Sequence, residues 1–210
     1  MTMKEKFNQL ITDTVKPFLK ANGFGKKGMN FYRKKDDLIF LFNFQSSQGN
    51  TFEQTKFYIN CGIHSTKIDK VIGKTELLEP KEYDCYFRNR ISSITKSTDD
   101  GYFIKEDTDL PNLSLSIIAD LKTVISMFDN IQSTNDLTNL MINKNGLNNY
   151  RELFEYLIRT ENKRDLGHFV KQLYSTFGTE KRWTIFESNL TDLLKENGKS
   201  ETLVDILNEE

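Results

Sequence analysis

Cys61, His64 and Cys85 are the residues whose types would suit a metal site or a reactive thiol. A catalytic zinc needs three such ligands converging on one point. Cys61-Gly-Ile-His64 lies in a segment that reads as a strand. Positions i and i+3 of a regular strand point to opposite faces, so the two side chains diverge unless a bulge at Gly62 realigns them. Cysteine is also among the residue types most often simply buried. Cys61, His64 and Cys85 are therefore expected to be structural, with no metal and no other cofactor bound.

Other catalytic patterns are thin. His64 and His168 are the only histidines, so a Ser-His-Asp or Cys-His relay has little to draw on. The chain holds no Gly-x-Ser-x-Gly, no Gly-x-x-x-x-Gly-Lys-Ser/Thr and no His-Glu-x-x-His. Gly23-Phe-Gly25-Lys-Lys-Gly28 has the glycines of a phosphate loop. It follows a helix, however, and a phosphate loop follows a strand and opens a helix. Acidic clusters at 79–84, 99–100 and 106–109 lie in polar stretches and read as solvated loops. Trp183, the sole tryptophan, is expected in a helix-docking or core role.

The basic residues form a clearer pattern. Net charge is +7 over residues 1–35, −5 over 36–134 and −3 over 135–210. Lys26, Lys27, Arg33, Lys34 and Lys35 flank Phe31 and Tyr32 in a segment that reads as a hairpin. Basic groups attract phosphates, and exposed aromatic rings stack on bases. Arg33 shares a strand face with Phe31, and Lys34 shares one with Tyr32. Arg88 and Arg90 share a face of another expected strand and would extend the patch or pair with Asp84. The plain structural alternative is an edge strand guarded by lysines against edge-to-edge pairing.

These residues need a scaffold, and hydrophobic periodicity supplies one. Phe7, Leu10, Ile11, Val15, Phe18 and Leu19 form a stripe, which predicts a helix over 4–21. Pro17 predicts a kink or break, because it lacks the N–H that would bond the Asp13 carbonyl. Gly23 ends the helix in the left-handed conformation, with Phe24 as its hydrophobic contact. Strands are expected over 29–34, 38–45 and 56–64, and two further ones over 83–94 and 101–105. Residues 65–73 suit a short helix. Pro111 opens a long one over 112–131, with Leu113, Ile117, Leu121, Val124, Ile125 and Phe128 as its stripe. Residues 143–149 read as a loop, and three helical stripes follow it.

The expected fold class is α+β: an antiparallel sheet of four to five strands packed by an N-terminal and a central helix, then a C-terminal helical region. The expected domains are 1–134 and 135–210, the second docked on the first. No apolar run approaches the ~20 residues that span a bilayer, and the first residues are spaced for a helix instead of a signal-peptide core. No membrane partner is expected, and the cytoplasm is the expected compartment.

Several motifs occur in order: Pro17-Phe-Leu-Lys-Ala-Asn-Gly-Phe24, Lys26-Lys-Gly-Met-Asn-Phe-Tyr-Arg33, Asn43-Phe-Gln45 and Phe57-Tyr-Ile-Asn-Cys-Gly-Ile63. In this the chain resembles the bacterial domain of unknown function 4304 family. Its members share a helix ending in Gly-Phe, a Phe-Tyr-Arg strand, an apolar strand ending near Gln and an Asn-x-Gly-Ile strand. Cys85 and Arg88 to Ile91 fit a later feature, a Cys or His followed by Arg-Ile. The resemblance covers about residues 7–94 and extends more weakly through 113–131. It implies a bacterial, cytoplasmic α+β domain. It carries no established activity and so no catalytic residue. The functional expectation is a non-enzymatic protein-interaction module, immunity- or antitoxin-like. The alternative is nucleic-acid or phosphoryl-ligand binding through the basic-aromatic hairpin.

Overall fold

The computed structural model describes residues 1–99, 101–144 and 147–208. Its contacts divide into two units. The first comprises Met1–His64 and Leu78–Gln132; the second comprises Ser65–Leu77 and the described residues from Ser133 on. The chain is mixed: an antiparallel sheet with helices, followed by further helices, as an α+β fold requires.

The first unit opens on a helical run. Thr2 accepts a hydrogen bond from the Glu5 N–H at 3.2 Å, and Glu5 accepts one from the Thr2 N–H at 2.8 Å. This reciprocal cap satisfies two amides at the start of α1 (Met3–Gln9). The missing amide of Pro17 is absorbed without a break. Residues Leu10–Val15 form a π-helical turn in which the Lys16 N–H reaches the Ile11 carbonyl, and α2 (Lys16–Ala21) restarts with Pro17 in its first turn. Gly23, at φ +83°, then closes the helix: its N–H bonds Lys20 O at 3.1 Å, and the Phe24 N–H bonds Leu19 O at 2.9 Å. Phe7, Leu10, Ile11, Val15 and Leu19 are buried, as their spacing predicts.

Among the described residues the sheet has six strands: β1 (Gly25–Lys27), β2 (Asn30–Lys35), β3 (Leu38–Ser46), β4 (Gln54–Ser65), β5 (Phe87–Arg90) and β6 (Tyr102–Lys105). They run in the order β1-β2-β3-β4-β5, with β6 also paired to β4. The long β4 carries β6 along 54–57 and β5 along 60–63. Register sorts the side chains. Phe31 faces Phe42 and Arg33 faces Phe40 on one face; Asn30 faces Asn43 and Tyr32 faces Leu41 on the other.

The first face is the core. Phe7 packs on Phe57, Phe24 on Phe42, and Phe128 on both Phe40 and Phe42, with centroids 4.8–5.3 Å apart. Phe128 comes from α5 (Leu110–Asp129), which Asp109 caps by accepting from the Asn112 N–H at 3.1 Å. Asp120 of α5 is a buried carboxylate that accepts from the hydroxyls of Ser97, at 2.6 Å, and Tyr102. Two donors offset its desolvation.

Residues 83–94 differ from the expected single strand. Glu82–Asp84 is a 3-10 turn, only Phe87–Arg90 pairs with β4, and Ile91–Thr95 forms the short helix α4. The hydroxyl of Thr95 donates back to the Ile91 carbonyl at 3.1 Å, and Lys96 ends α4 at φ +58°. β1 is a strand the alternation rule does not mark, because its three residues are all exposed. Asp100 of the acidic loop at 99–100 lies outside the described residues.

In the second unit, α3 (Thr66–Val71) is capped by Ser65, whose hydroxyl also meets that of Thr134 at 2.7 Å. Around it are α6 (Thr134–Asn143), α7 (Tyr150–Arg159), α8 (Lys163–Phe177), α9 (Trp183–Glu196) and α10 (Leu203–Asn208). The three expected stripes bury Leu153, Phe154 and Leu157, then Leu166, Phe169, Val170 and Leu173, then Phe186, Leu190, Leu193 and Leu194. Trp183 is buried edge-on to Tyr174. Within the loop expected at 143–149, Leu147–Asn149 is a 3-10 turn, Asn143 ends α6, and residues 145–146 lie outside the described residues.

Candidate functional site

The thiols and the imidazole do not converge. Cys61 lies on the core face of β4 and is buried; its thiol donates to Asn89 O at 3.2 Å. Cys85 lies against the opposite face, packed on Gly62, where an added Cβ would sit 2.6 Å from its sulfur. His64 is buried, stacked on Tyr86, with Nδ1 donating to the Asp84 carbonyl at 3.0 Å. Among the described residues no three His, Cys, Asp or Glu side chains gather as metal ligands. His168 is exposed on α8, beside Gln172.

Two predictions follow from this packing. Gly62→Ala would drive a methyl into Cys85, so a loss of about 1–3 kcal/mol is expected in urea denaturation. A loss near zero would show that Cys85 moves aside freely. Burial also pushes the Cys61 thiol up from its ordinary value near 9 to about 12, despite the opposing hydrogen bond to Asn89. The Cys85 thiol is raised as well, first by burial and then by Glu82. An acid whose folded pKa exceeds its unfolded one holds its proton more tightly when folded. Its stabilising effect is complete below the unfolded value and is lost as pH rises above it. Stability is therefore expected to fall above pH 9, by up to about 1.4 kcal/mol per pH unit per thiol. A Cys61→Ala, Cys85→Ala chain should fall less steeply over the same range; an identical slope would contradict the assignment.

The basic-aromatic hairpin is not one exposed strip. Phe31 is 1% exposed and belongs to the core, packed against Phe44, with the Lys26 ammonium 5.9 Å from its ring centroid. Arg33 pairs with Asp129 at 2.7 Å, and its guanidinium lies over Phe24 and Phe40. Lys27 pairs with Glu79, and Lys35 donates to Gln132. Lys34 is exposed and Tyr32 half-buried on the other face, where burial and then the Glu79 charge raise the Tyr32 phenol. Arg88 approaches Glu82 at 3.8 Å, and Arg90 is exposed beside Tyr58.

The face of the sheet opposite the core carries a different constellation. Three strands place amides in one row: Asn60 donates to Asn43 Oδ1 at 3.1 Å and to Gln45 Oε1 at 2.9 Å, and Asn43 donates to Asn30 Oδ1 at 2.7 Å. Asn30, Asn43 and Gln45 of the row floor a cavity of about 250 Å³ walled by Lys81, Glu82 and Tyr83. Beside it, Lys56 lies over the rings of Tyr58 and Phe103 at 5.2 and 5.1 Å, and the Arg90 guanidinium lies 4.0 Å from the Tyr58 centroid. Tyr83 is 60% exposed and Phe103 40%. Ile39 and Leu41, farther along the same face, are buried, so the open half is the one around Asn43, Tyr58 and Arg90.

Amides do not ionise near neutral pH, so this floor can orient and bind but cannot do acid–base work. A larger groove of about 550 Å³ lies beside α1, lined by Met3, Phe7, Met29, Phe44 and Phe52 among others. Its polar rim, Ser46, Asn50 and Thr51, is hydrogen-bonded mainly to the backbone of the same hairpin: Asn50 closes on the Lys56 N–H and carbonyl at 2.7 and 3.0 Å and on the Ser46 hydroxyl at 3.1 Å. The sequence signal for the amide row is faint: Asn43 and Gln45 occupy alternate positions at the end of an otherwise apolar strand.

Among the described residues no helix is long and apolar enough to cross a membrane. No curated protein and no solved structure matches the chain. One family model does, under the description Domain of unknown function (DUF4304), over residues 15–130. That span runs from the end of the N-terminal π-helical turn to the end of α5 and takes in the whole sheet. It is more than half of the chain, and the chain therefore belongs to the DUF4304 family.

Proposed function

We propose that the chain is a non-enzymatic protein-interaction module of the bacterial cytoplasm, immunity- or antitoxin-like, and that the open half of its sheet is the binding face. One observation carries the reading: the hydrogen-bonded row Asn30–Asn43–Asn60–Gln45 is edged by Tyr58, Tyr83, Phe103 and Arg90. Tyrosine and arginine dominate the energetics of protein interfaces, and amides add adaptable hydrogen bonds. A strand framework also holds these groups at fixed spacing, which lowers the entropy lost on binding.

A second reading is nucleic-acid or phosphoryl-ligand binding. The hairpin supports it less than the sequence suggests, since Phe31 is in the core and Lys27, Arg33 and Lys35 have partners within the fold. The Lys56, Arg90, Tyr58 and Phe103 cluster favours it instead, because cations beside an exposed ring, Phe103, and a half-buried one, Tyr58, suit a single strand. Salt separates the two readings: binding through phosphates weakens steeply with salt, and a largely stacked and hydrogen-bonded protein interface much less so.

The test is affinity capture of the tagged chain from its native host, run beside Arg90→Glu and Tyr58→Ala chains. The expected result is a protein held by the unaltered chain and lost by both variants. A protein held equally by all three would move the interface elsewhere. A chain that emerges alone every time would remove the binding reading.

A further inference from the structure

We infer that the cavity floored by the amide row seats an acidic side chain, aspartate or glutamate, of the partner protein. The inference rests on the reading that the open half of the sheet is the binding face.

Hydrogen-bond polarity leads to this ligand. Asn60 is buried, and its amino group donates both hydrogens, one to Asn43 and one to Gln45. The Asn43 amino group donates onward to Asn30. The side-chain oxygens of Asn30, Asn43 and Gln45 are thus all turned into the row as acceptors. The Asn30 amino end turns to the Tyr32 phenol, which leaves the amino end of Gln45 to donate into the cavity it lines. With Gln45 and Lys81 as its donors and each amide oxygen of the row already holding a hydrogen bond, the wall favours a ligand that accepts.

Charge agrees. Lys81 lines the cavity, exposed, with its ammonium 5.7 Å from the Tyr83 centroid. Glu82 is the acid in the lining, and Arg88 faces it at 3.8 Å. Lys56 and Arg90 lie on the same open half. The site is therefore locally cationic on a chain whose net charge is −1. A carboxylate there would gain charge-assisted hydrogen bonds, which are about twice as strong as neutral ones. Size narrows the choice further. The cavity, at about 250 Å³, falls below the ~300–1,000 Å³ typical of cofactor and small-molecule sites, and a single side chain fits it better.

Titration of the isotopically labelled chain with hexaglutamate tests this directly, because side-chain amides give their own NMR resonances. The expected result is that the side-chain amide signals of Gln45 shift with hexaglutamate and stay in place with hexalysine. Lys81→Glu should abolish the shift. Gln45→Leu should weaken binding by about tenfold, the loss of one charge-assisted hydrogen bond, with the backbone spectrum showing the fold intact. Amide signals unmoved by millimolar hexaglutamate would overturn the inference. So would a larger shift with oligothymidylate, which would transfer the site to nucleic acid. The captured partner separates this failure from that of the wider reading. If Gln45→Leu and Lys81→Glu chains retain it while Arg90→Glu loses it, the acidic anchor is wrong and the binding face stands. If Arg90→Glu retains it too, the face itself is wrong.

Discussion

Phe128→Ala is expected to lower stability by about 3–5 kcal/mol, the range for an aromatic ring removed from a packed core. Phe128 has no solvent exposure. Its ring sits between those of Phe40 and Phe42, with centroids 5.0 and 5.3 Å away, and so joins the last turn of α5 to the central strand β3. The rings beneath it cannot collapse into the vacancy. Phe40 and Phe42 are fixed by strand pairing to Arg33 and Phe31, and Phe42 is also held by Phe24. The loss is large against the ~5–15 kcal/mol total stability of a typical domain. In a chain of this size it should lower the melting temperature by roughly 6–20 °C. Phe128→Leu should recover most of the loss, since it refills much of the volume. Calorimetry of both variants provides the check. A loss under about 1 kcal/mol for alanine would mean that α5 does not seal this face of the sheet.

That seam was readable in part from the residues themselves. The stripe of α5 gave Phe128 its buried side, and the unbroken apolar run of β3 marked a central strand. Which phenylalanines would meet depended on register and on helix placement, and spacing along one segment carries neither. Arg33 makes the same point. Its parity with Phe31 was legible, but not that this face is the helix-covered one, where Asp129 waits 96 residues farther along the chain. The patch that looked like a ligand surface thus holds one arginine, Arg33, with its stem buried at the edge of the core, and exposed lysines, Lys27 and Lys35, with partners within the fold.

The amide row was missed for the opposite reason. Each amide is unremarkable where it occurs, and β2, β3 and β4 must be aligned before Asn30, Asn43 and Asn60 become neighbours. Pro17 falls between these cases: the lost amide bond could be foreseen, whereas its relief by a π-helical turn instead of a kink depends on how the Phe7-to-Leu19 stripe must continue across the sheet.

Arg90→Glu is expected to weaken partner binding by roughly 30- to 1,000-fold, the equivalent of about 2–4 kcal/mol at an interface hot spot. Arg90 lies on β5, opposite Asn60, and is exposed, so the substitution should cost the fold no more than about 1 kcal/mol, the worth of its stack on Tyr58. Its guanidinium sits flat enough over Tyr58 to approach the centroid at 4.0 Å, which holds the charge in a fixed direction beside the amide row. Reversing the charge removes that stack and sets a carboxylate on a face argued to receive acids. Arg90→Lys distinguishes the two contributions, because lysine keeps the charge and lacks the planar fork. If direction matters, lysine should fall between arginine and glutamate and dissociate faster at nearly the same association rate. If only the field matters, lysine should match arginine, and raising salt should slow association for both. Equal affinity for arginine, lysine and glutamate at this position would show that the Tyr58 edge of the sheet lies outside the interface.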